Sequence, residues 1–283
     1  MVSLTAAPHR PLALAWLDLA RAGNFPSVAS NVMAAFVLSA AALSLSATGD
    51  VDSDVVADAS AVDDLGAHAG IGVAVAVDTV DTRFEATLAG SATAATVTLL
   101  AGTEAGEAAG FSATAISGAG ATDIGAAGAF AADFSDLDAV ASVADGATVG
   151  GTARLTITAT LDSDHAAAAR SRQESGDDPT RLGIGASIAL VELDDDTTAA
   201  LGGDASIGTL ASLTMSATGS HGATATAEAG GAGNVAVTPT LALTVSTADS
   251  RIDMPAGDAL SVTGIVARTA THDITACRMA SLA

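Results

Sequence analysis

Ile184-Gly185-Ala186-Ser187-Ile188-Ala189-Leu190, then the triplet Asp194-Asp195-Asp196, then Leu201-Gly202-Gly203-Asp204-Ala205-Ser206, form a segment that the chain repeats. Fifty-eight residues before Leu201 stands Val143-Ala144-Asp145-Gly146-Ala147-Thr148, preceded by Ala126, Phe130, Asp133 and Asp136. Fifty-five residues earlier again stands Leu88-Ala89-Gly90-Ser91-Ala92-Thr93, preceded by Ile71-Gly72-Val73-Ala74-Val75-Ala76-Val77, Asp78 and Asp81. A more diverged copy runs from Leu241-Ala242-Leu243-Thr244-Val245 to Met254. A companion run recurs at matching intervals: Leu43-Ser44-Leu45-Ser46-Ala47-Thr48, Val97-Thr98-Leu99, Leu155-Thr156-Ile157-Thr158-Ala159-Thr160, Leu213-Thr214-Met215-Ser216-Ala217-Thr218 and, weakly, Ile265-Val266-Ala267. Self-similarity at a near-constant interval marks a repeat architecture, in which each unit buries its apolar face against its neighbours.

Inside each unit the period is two, apolar residues alternating with Ala, Ser or Thr, as expected for strands with one buried face. Alanine is abundant enough to suggest helix. Thr, Val and Ser argue against it, through χ1 stiffness or competition for backbone hydrogen bonds, and Gly and Asp punctuate the pattern. The Asp-rich stretches read as turns between strands. Aromatic residues make up 2% of the chain, with one Trp and no Tyr, so a core built on large rings is disfavoured. Small inward residues suit a narrow interior whose equivalent Val, Leu, Ile and Ala positions stack above one another. The expected fold is all-β, a parallel β-helix (β-solenoid) of about four imperfect 52–58-residue repeats. Each repeat should hold two or three coils of roughly 20 residues. Tandem small β-sandwiches are the alternative.

Residues 1–35 lie outside the repeat and residues 36–283 form the repeat domain. Residues 11–21 suggest a short amphipathic helix that would cap the open end of the stack, with Pro11 in its first turn and Gly23-Asn24 past its end. Residues 32–45 have the apolar character of a secretory leader, with Leu45-Ser46-Ala47 resembling a cleavage site. The same stretch overlaps a repeat strand and starts far from Met1, which favours the strand. At 14 residues it is too short to cross a bilayer.

Gly183 to Leu190 with its Asp-Asp-Asp-Thr-Thr stretch, Gly202-Gly203-Asp204-Ala205 and Leu213 to Thr218 resemble the repeats of very large bacterial secreted β-helix proteins. These are the adhesins and autotransporter-passenger-like exoproteins of the filamentous-haemagglutinin type. The resemblance covers roughly residues 42–276. It implies secretion or surface display, attachment to glycans or proteins of a host or neighbouring cell, and no catalytic residues. The chain is short for such proteins and has no obvious translocation domain, so continuation of the solenoid in a longer polypeptide is expected.

The formal net charge is −22; all ten basic residues are Arg, and there is no Lys. A basic patch for nucleic acid is lacking, and outward acids keep a sheet-rich surface soluble. The single Cys277 excludes an intramolecular disulfide. Asp78/Asp81, Asp133/Asp136/Asp138 and Asp194/Asp195/Asp196 could stack into calcium sites, but no Gly-Gly-x-Gly-x-Asp motif accompanies them, so solvated turns are expected. His165, His221 and His272 follow successive companion runs and could form a transition-metal ladder. Their offsets from those runs drift from 10 to 8 to 7, which favours exposed loop histidines. Thr156/Thr158/Thr160 and Thr214/Ser216/Thr218 read as ordinary outward β residues, with an ice- or glycan-binding array as the alternative. No Gly-x-Ser-x-Gly, Gly-x-Gly-x-x-Gly or His-Glu-x-x-His occurs, and a phosphate loop has no Lys to use. A polysaccharide-acting enzyme would draw on Arg83, Arg154 or Arg251, none with an evident set of carboxylate partners. The expectation is a non-enzymatic structural protein with no catalytic, cofactor or metal residues.

Overall fold

The computed structural model describes residues 14–17, 29–34, 38–60, 68–174, 181–254 and 260–282. Every regular element among them is a strand, and every strand pair is parallel. One sheet runs β1 (Leu14–Leu17), β3 (Leu38–Gly49), β6 (Ser91–Thr103), β10 (Arg154–Glu174), β13 (Leu210–Gly230) and β16 (Val262–Leu282). Alongside lie β4 (Asp52–Ala59) and β7 (Ala109–Gly120), which continue the rows of β3 and β6, and the short β9 (Thr148–Gly150) and β12 (Ser206–Ile207). The second sheet comprises β2 (Ala29–Ala34), β5 (Ala69–Leu88), β8 (Ile124–Val143), β11 (Leu182–Leu201), and β14 (Val235–Val237) with β15 (Thr240–Asp253).

The pairing follows the repeat. Leu43, Val97, Leu155, Leu213 and Val266 occupy one row of the first sheet, and Val75, Phe130, Ile188 and Leu241 one row of the second. Each pairing joins one repeat to the next, so no repeat closes on itself as a separate sandwich. The strands are longer than the local pattern suggests: β5, β8 and β11 are each 20 residues long and β10 and β13 each 21. A repeat therefore crosses each sheet once. It contributes one long row to each sheet, not the short strands of the two or three coils expected. The Asp-rich stretches are likewise not turns. Asp78, Asp133 and Asp194–Asp196 lie within β5, β8 and β11.

The space between the sheets narrows from a part filled by large side chains to one filled by alanine. At its wide part Leu45, Leu99, Leu137, Leu155, Ile157 and Met215 belong to a cluster of large aliphatic side chains that also includes Phe111. At its narrow part the buried cluster is almost entirely alanine, including Ala74, Ala131, Ala167, Ala189 and Ala225. The sheets come into backbone contact at the tip. A Cβ on Gly72 would collide with the Gly118 carbonyl, and one on Gly185 with the Gly230 carbonyl. This thinness reverses the facing expected from side-chain size. In β5, Ala74 and Ala76 point inward, while Val73, Val75 and Val77 are exposed on the outer face. Alternation sets the period of a strand but not its phase, and the phase here is chosen by the room available.

The expected N-terminal helix is not present among the described residues. Leu14–Leu17, at its centre, form β1 and pair with Ala42 to Leu45 of β3; the rest of residues 11–21 lies outside the described residues. The stretch compared with a secretory leader contributes to β2 and β3. No described helix is long and apolar enough to cross a membrane. In β16, the register sets Arg268 beside the buried Met215 and Arg278 beside the buried Ala225, two inward positions filled by apolar residues in the preceding strands.

Candidate functional site: a buried polar seam

A row of polar residues separates the two apolar compartments. On β8 the inward residues run Ala131, Asp133, Ser135, Leu137; on β10, Leu161, Ser163, His165, Ala167; on β11, Leu193, Asp195, Thr197, Ala199. His221 on β13 and Asp78 on β5 extend the row. All of these are buried, Asp133, Asp195 and Ser163 completely.

The charged members pair across the core. His165 Nδ1 lies 3.2 Å from Asp133 Oδ2 and 3.2 Å from Ser135 Oγ, and its Nε2 lies 3.8 Å from Asp195 Oδ2. Asp195 Oδ2 in turn lies 2.6 Å from His221 Nδ1 and accepts a hydrogen bond of 2.8 Å from the Ser163 hydroxyl. Ser163 Oγ is also 2.9 Å from His221 Nδ1. Phe111 stacks on His165 with ring centroids 5.0 Å apart, and His221 meets His272 at the same separation. Asp78 accepts from Ser53 at 2.9 Å, and His272 Nδ1 lies 3.3 Å from Ser250 Oγ.

Burial opposes charge on His165, but hydrogen bonds and Coulomb attraction from Asp133 and Asp195 outweigh it and raise its pKa to about 9. Burial likewise opposes charge on Asp195, yet His165 and His221 hold its pKa below the ordinary value. The core of the seam is thus an ion pair at neutral pH. Asp78 faces a hydroxyl in place of an imidazole, and burial, with the nearby Asp133 charge, raises its pKa. Burial and the neighbouring His221 lower that of His272.

Ser163, His221 and Asp195 have the composition of a hydrolytic triad but not its wiring. A triad needs the nucleophile on one imidazole nitrogen and the carboxylate on the other. Here Ser163 and Asp195 both meet Nδ1, Ser163 also donates to the carboxylate, and His221 Nε2 is buried without a hydrogen-bond partner. Ser135 and Asp133 likewise both meet Nδ1 of His165, whose Nε2 faces Asp195 Oδ2 at 3.8 Å, beyond hydrogen-bond length. Both serines are buried, so a substrate carbonyl cannot reach them without the sheets parting. The arrangement holds charge and position inside the core, with Ser163 and Asp195 on the same nitrogen of His221.

The histidines expected in exposed loops therefore lie on strands, and His165 and His221 are buried in the core. A bulge near Leu210 pairs Leu213 with Val266, not Ile265, so the offsets become 10, 8 and 6. An even shift keeps a side chain on the same face of a strand. The drift that argued against a ladder is a two-residue stagger between strands. Among the described residues, no group of three or more His, Cys, Asp or Glu side chains is arranged to hold a metal ion.

The remaining candidates lie outside the seam. Thr156, Thr158 and Thr160 face outward and align with Thr214, Ser216 and Thr218, as expected of ordinary surface β residues. Asp81, Asp136 and Asp194 form one outward row of the second sheet; Arg83, Asp138, Asp196 and Asp249 form the next. Partial burial, then the neighbouring carboxylates, raise the pKa values of Asp136 and Asp196. Arg83 is engaged by Glu85 and Asp138 at 3.1 Å each, Arg251 lies 3.3 Å from Asp253, and Arg154 is exposed at the start of β10. Cys277 is exposed and free. On the outer face of the first sheet, Asp52, Asp54, Asp164 and Asp273 line a groove above the seam. Comparison with protein-family models, with curated proteins and with solved structures finds no match in any of the three.

Proposed function

We propose that the chain is a parallel β-solenoid serving as a secreted or surface-exposed structural protein of the adhesin type, presenting repetitive faces for attachment to cells or matrix. The observation that carries this reading is the row-by-row alignment of successive repeats, which turns one short motif into broad flat faces. Many weak contacts along such faces give avidity without a deep pocket. The seam supports a non-enzymatic role, since its serines and histidines are committed to one another inside the core.

The test is attachment by the purified chain. Fluorescently labelled protein should bind intact cells or matrix saturably, and antibodies should label unpermeabilised cells of the source organism. Absence of both, or new reducing or unsaturated ends after incubation with polysaccharides, overturns the reading. A rise in melting temperature on adding calcium would favour an ion-binding module instead.

A further inference from the structure

The outer face of the second sheet is divided along its strands into an apolar part and an acidic part. In the apolar part, Val75, Phe130, Ile188 and Leu241 form one cross-strand row, and Val77, Leu190 and Leu243 belong to the next, which the buried Ala132 completes beneath its neighbours. Val75 is 57% exposed, Ile188 41% and Leu241 52%, and Ile71 and Val73 extend the patch. Four strands about 4.8 Å apart make such a row about 14 Å wide. Exposed apolar patches of this continuity mark interaction surfaces. Farther along the same strands stand the carboxylate rows Asp81–Asp136–Asp194 and Asp138–Asp196–Asp249, the first beginning about 13 Å from Val77. Arg83 stands at one end of the second row, paired with Asp138, and the Arg251 charge acts on Asp196; among the described residues, no Arg or His lies within ion-pair distance of Asp136, Asp194 or Asp196.

We propose that this face docks a cationic amphipathic protein segment, its apolar side chains over the Val75–Leu241 row and its basic side chains over the two carboxylate rows. Charge complementarity selects this occupant. A second copy of the chain would bring another strongly acidic surface to the face, and an anionic lipid surface would be repelled by it. A basic segment relieves the like-charge repulsion within the rows while covering the apolar patch. The inference rests on the reading of the chain as a presenting scaffold and names the chemistry that one of its faces presents.

The probe is a twelve-residue peptide with three Leu alternating with Ser in its first half and three Lys alternating with Ser in its second, followed by fluorescence anisotropy. One control peptide carries Glu in place of Lys, another Ser in place of Leu. The Leu/Lys peptide should bind at least tenfold more tightly than either control, and binding should weaken with salt. Val75→Ser/Ile188→Ser/Leu241→Ser, or Asp136→Asn/Asp194→Asn/Asp196→Asn, should weaken it at least tenfold, whereas Asp52→Asn/Asp54→Asn on the other sheet should leave it unchanged. Far-UV circular dichroism verifies folding; if a triple variant unfolds, Ile188→Ser and Asp194→Asn alone should each weaken binding at least threefold. Equal binding of the Glu peptide, or indifference to the face variants, overturns the proposal. So does a dimer of the wild-type protein that Val75→Ser/Ile188→Ser/Leu241→Ser disperses, or binding to phosphatidylcholine vesicles in place of the peptide. Cell attachment lost with peptide binding intact would overturn the adhesive reading alone; attachment retained with peptide binding absent would overturn the docking alone.

Discussion

The two apolar compartments are built from the same strands yet use opposite means of packing. On one side of the seam, Leu45, Leu99, Leu155 and Met215 fill a wide gap with long side chains. On the other, Ala131, Ala167, Ala189 and Ala225 let the sheets approach until glycine backbones meet. The first is stabilised by buried hydrocarbon. The second depends on close fit and leaves its large residues outside. The polar seam between them fills an intermediate width, where imidazole and carboxylate pairs span the gap.

The greatest loss should come from the seam itself. Asp195→Ala would leave His165 and His221 without their shared carboxylate, at a cost of about 3–5 kcal/mol in urea unfolding. A loss below about 1 kcal/mol would mean that the seam is solvated. Leu155→Ala in the wide compartment should cost about 2–5 kcal/mol through lost transfer energy and a residual cavity. In the narrow compartment the sensitive change runs the other way: Ala131→Leu should cost about 1–3 kcal/mol by overpacking. If Ala131→Leu is tolerated as well as Ala131→Gly, the narrow compartment is not tight and the contrast fails.

Proton linkage sharpens the role of the seam. His165 has its pKa raised in the folded chain, so its contribution is complete below the unfolded value of 6.5 and is lost as pH rises toward about 9. Stability should fall over that interval by at most about 1.4 kcal/mol per pH unit, and His165→Gln should flatten the slope. At the acid end, Asp195 gives the opposite sign: its contribution is present above 3.8 and is lost as pH falls further. The smallest effect is expected away from both compartments. Gly146 holds φ at 73° in the turn after β8, and Gly146→Ala should cost about 1 kcal/mol, read as a small shift in melting temperature.

Much of this architecture is legible in the chain, and the losses have physical causes. The spacing of Leu43, Val97, Leu155 and Leu213 identifies rows that the paired strands reproduce, because stacked parallel strands must conserve register to conserve facing. Which face of β5 points inward is not legible, since Val75 looks like core until the spacing of the sheets is known. Asp133 and Asp195 pass for turn residues because aspartate is depleted in strands and Asp-rich stretches usually mark turns. Their imidazole partners come from a strand in the opposite sheet, about 30 positions away in sequence. The even stagger of His165, His221 and His272 is present in the sequence and hidden by one bulge near the start of β16.

Arg268 and Arg278 bear on how the stack could grow. The outer edge of β16 offers backbone groups to an incoming strand, but one that continued the rows would lay its inward side chains against two guanidinium groups. Arg268→Leu/Arg278→Ala should ease strand addition along β16, read as an increase in oligomers by light scattering.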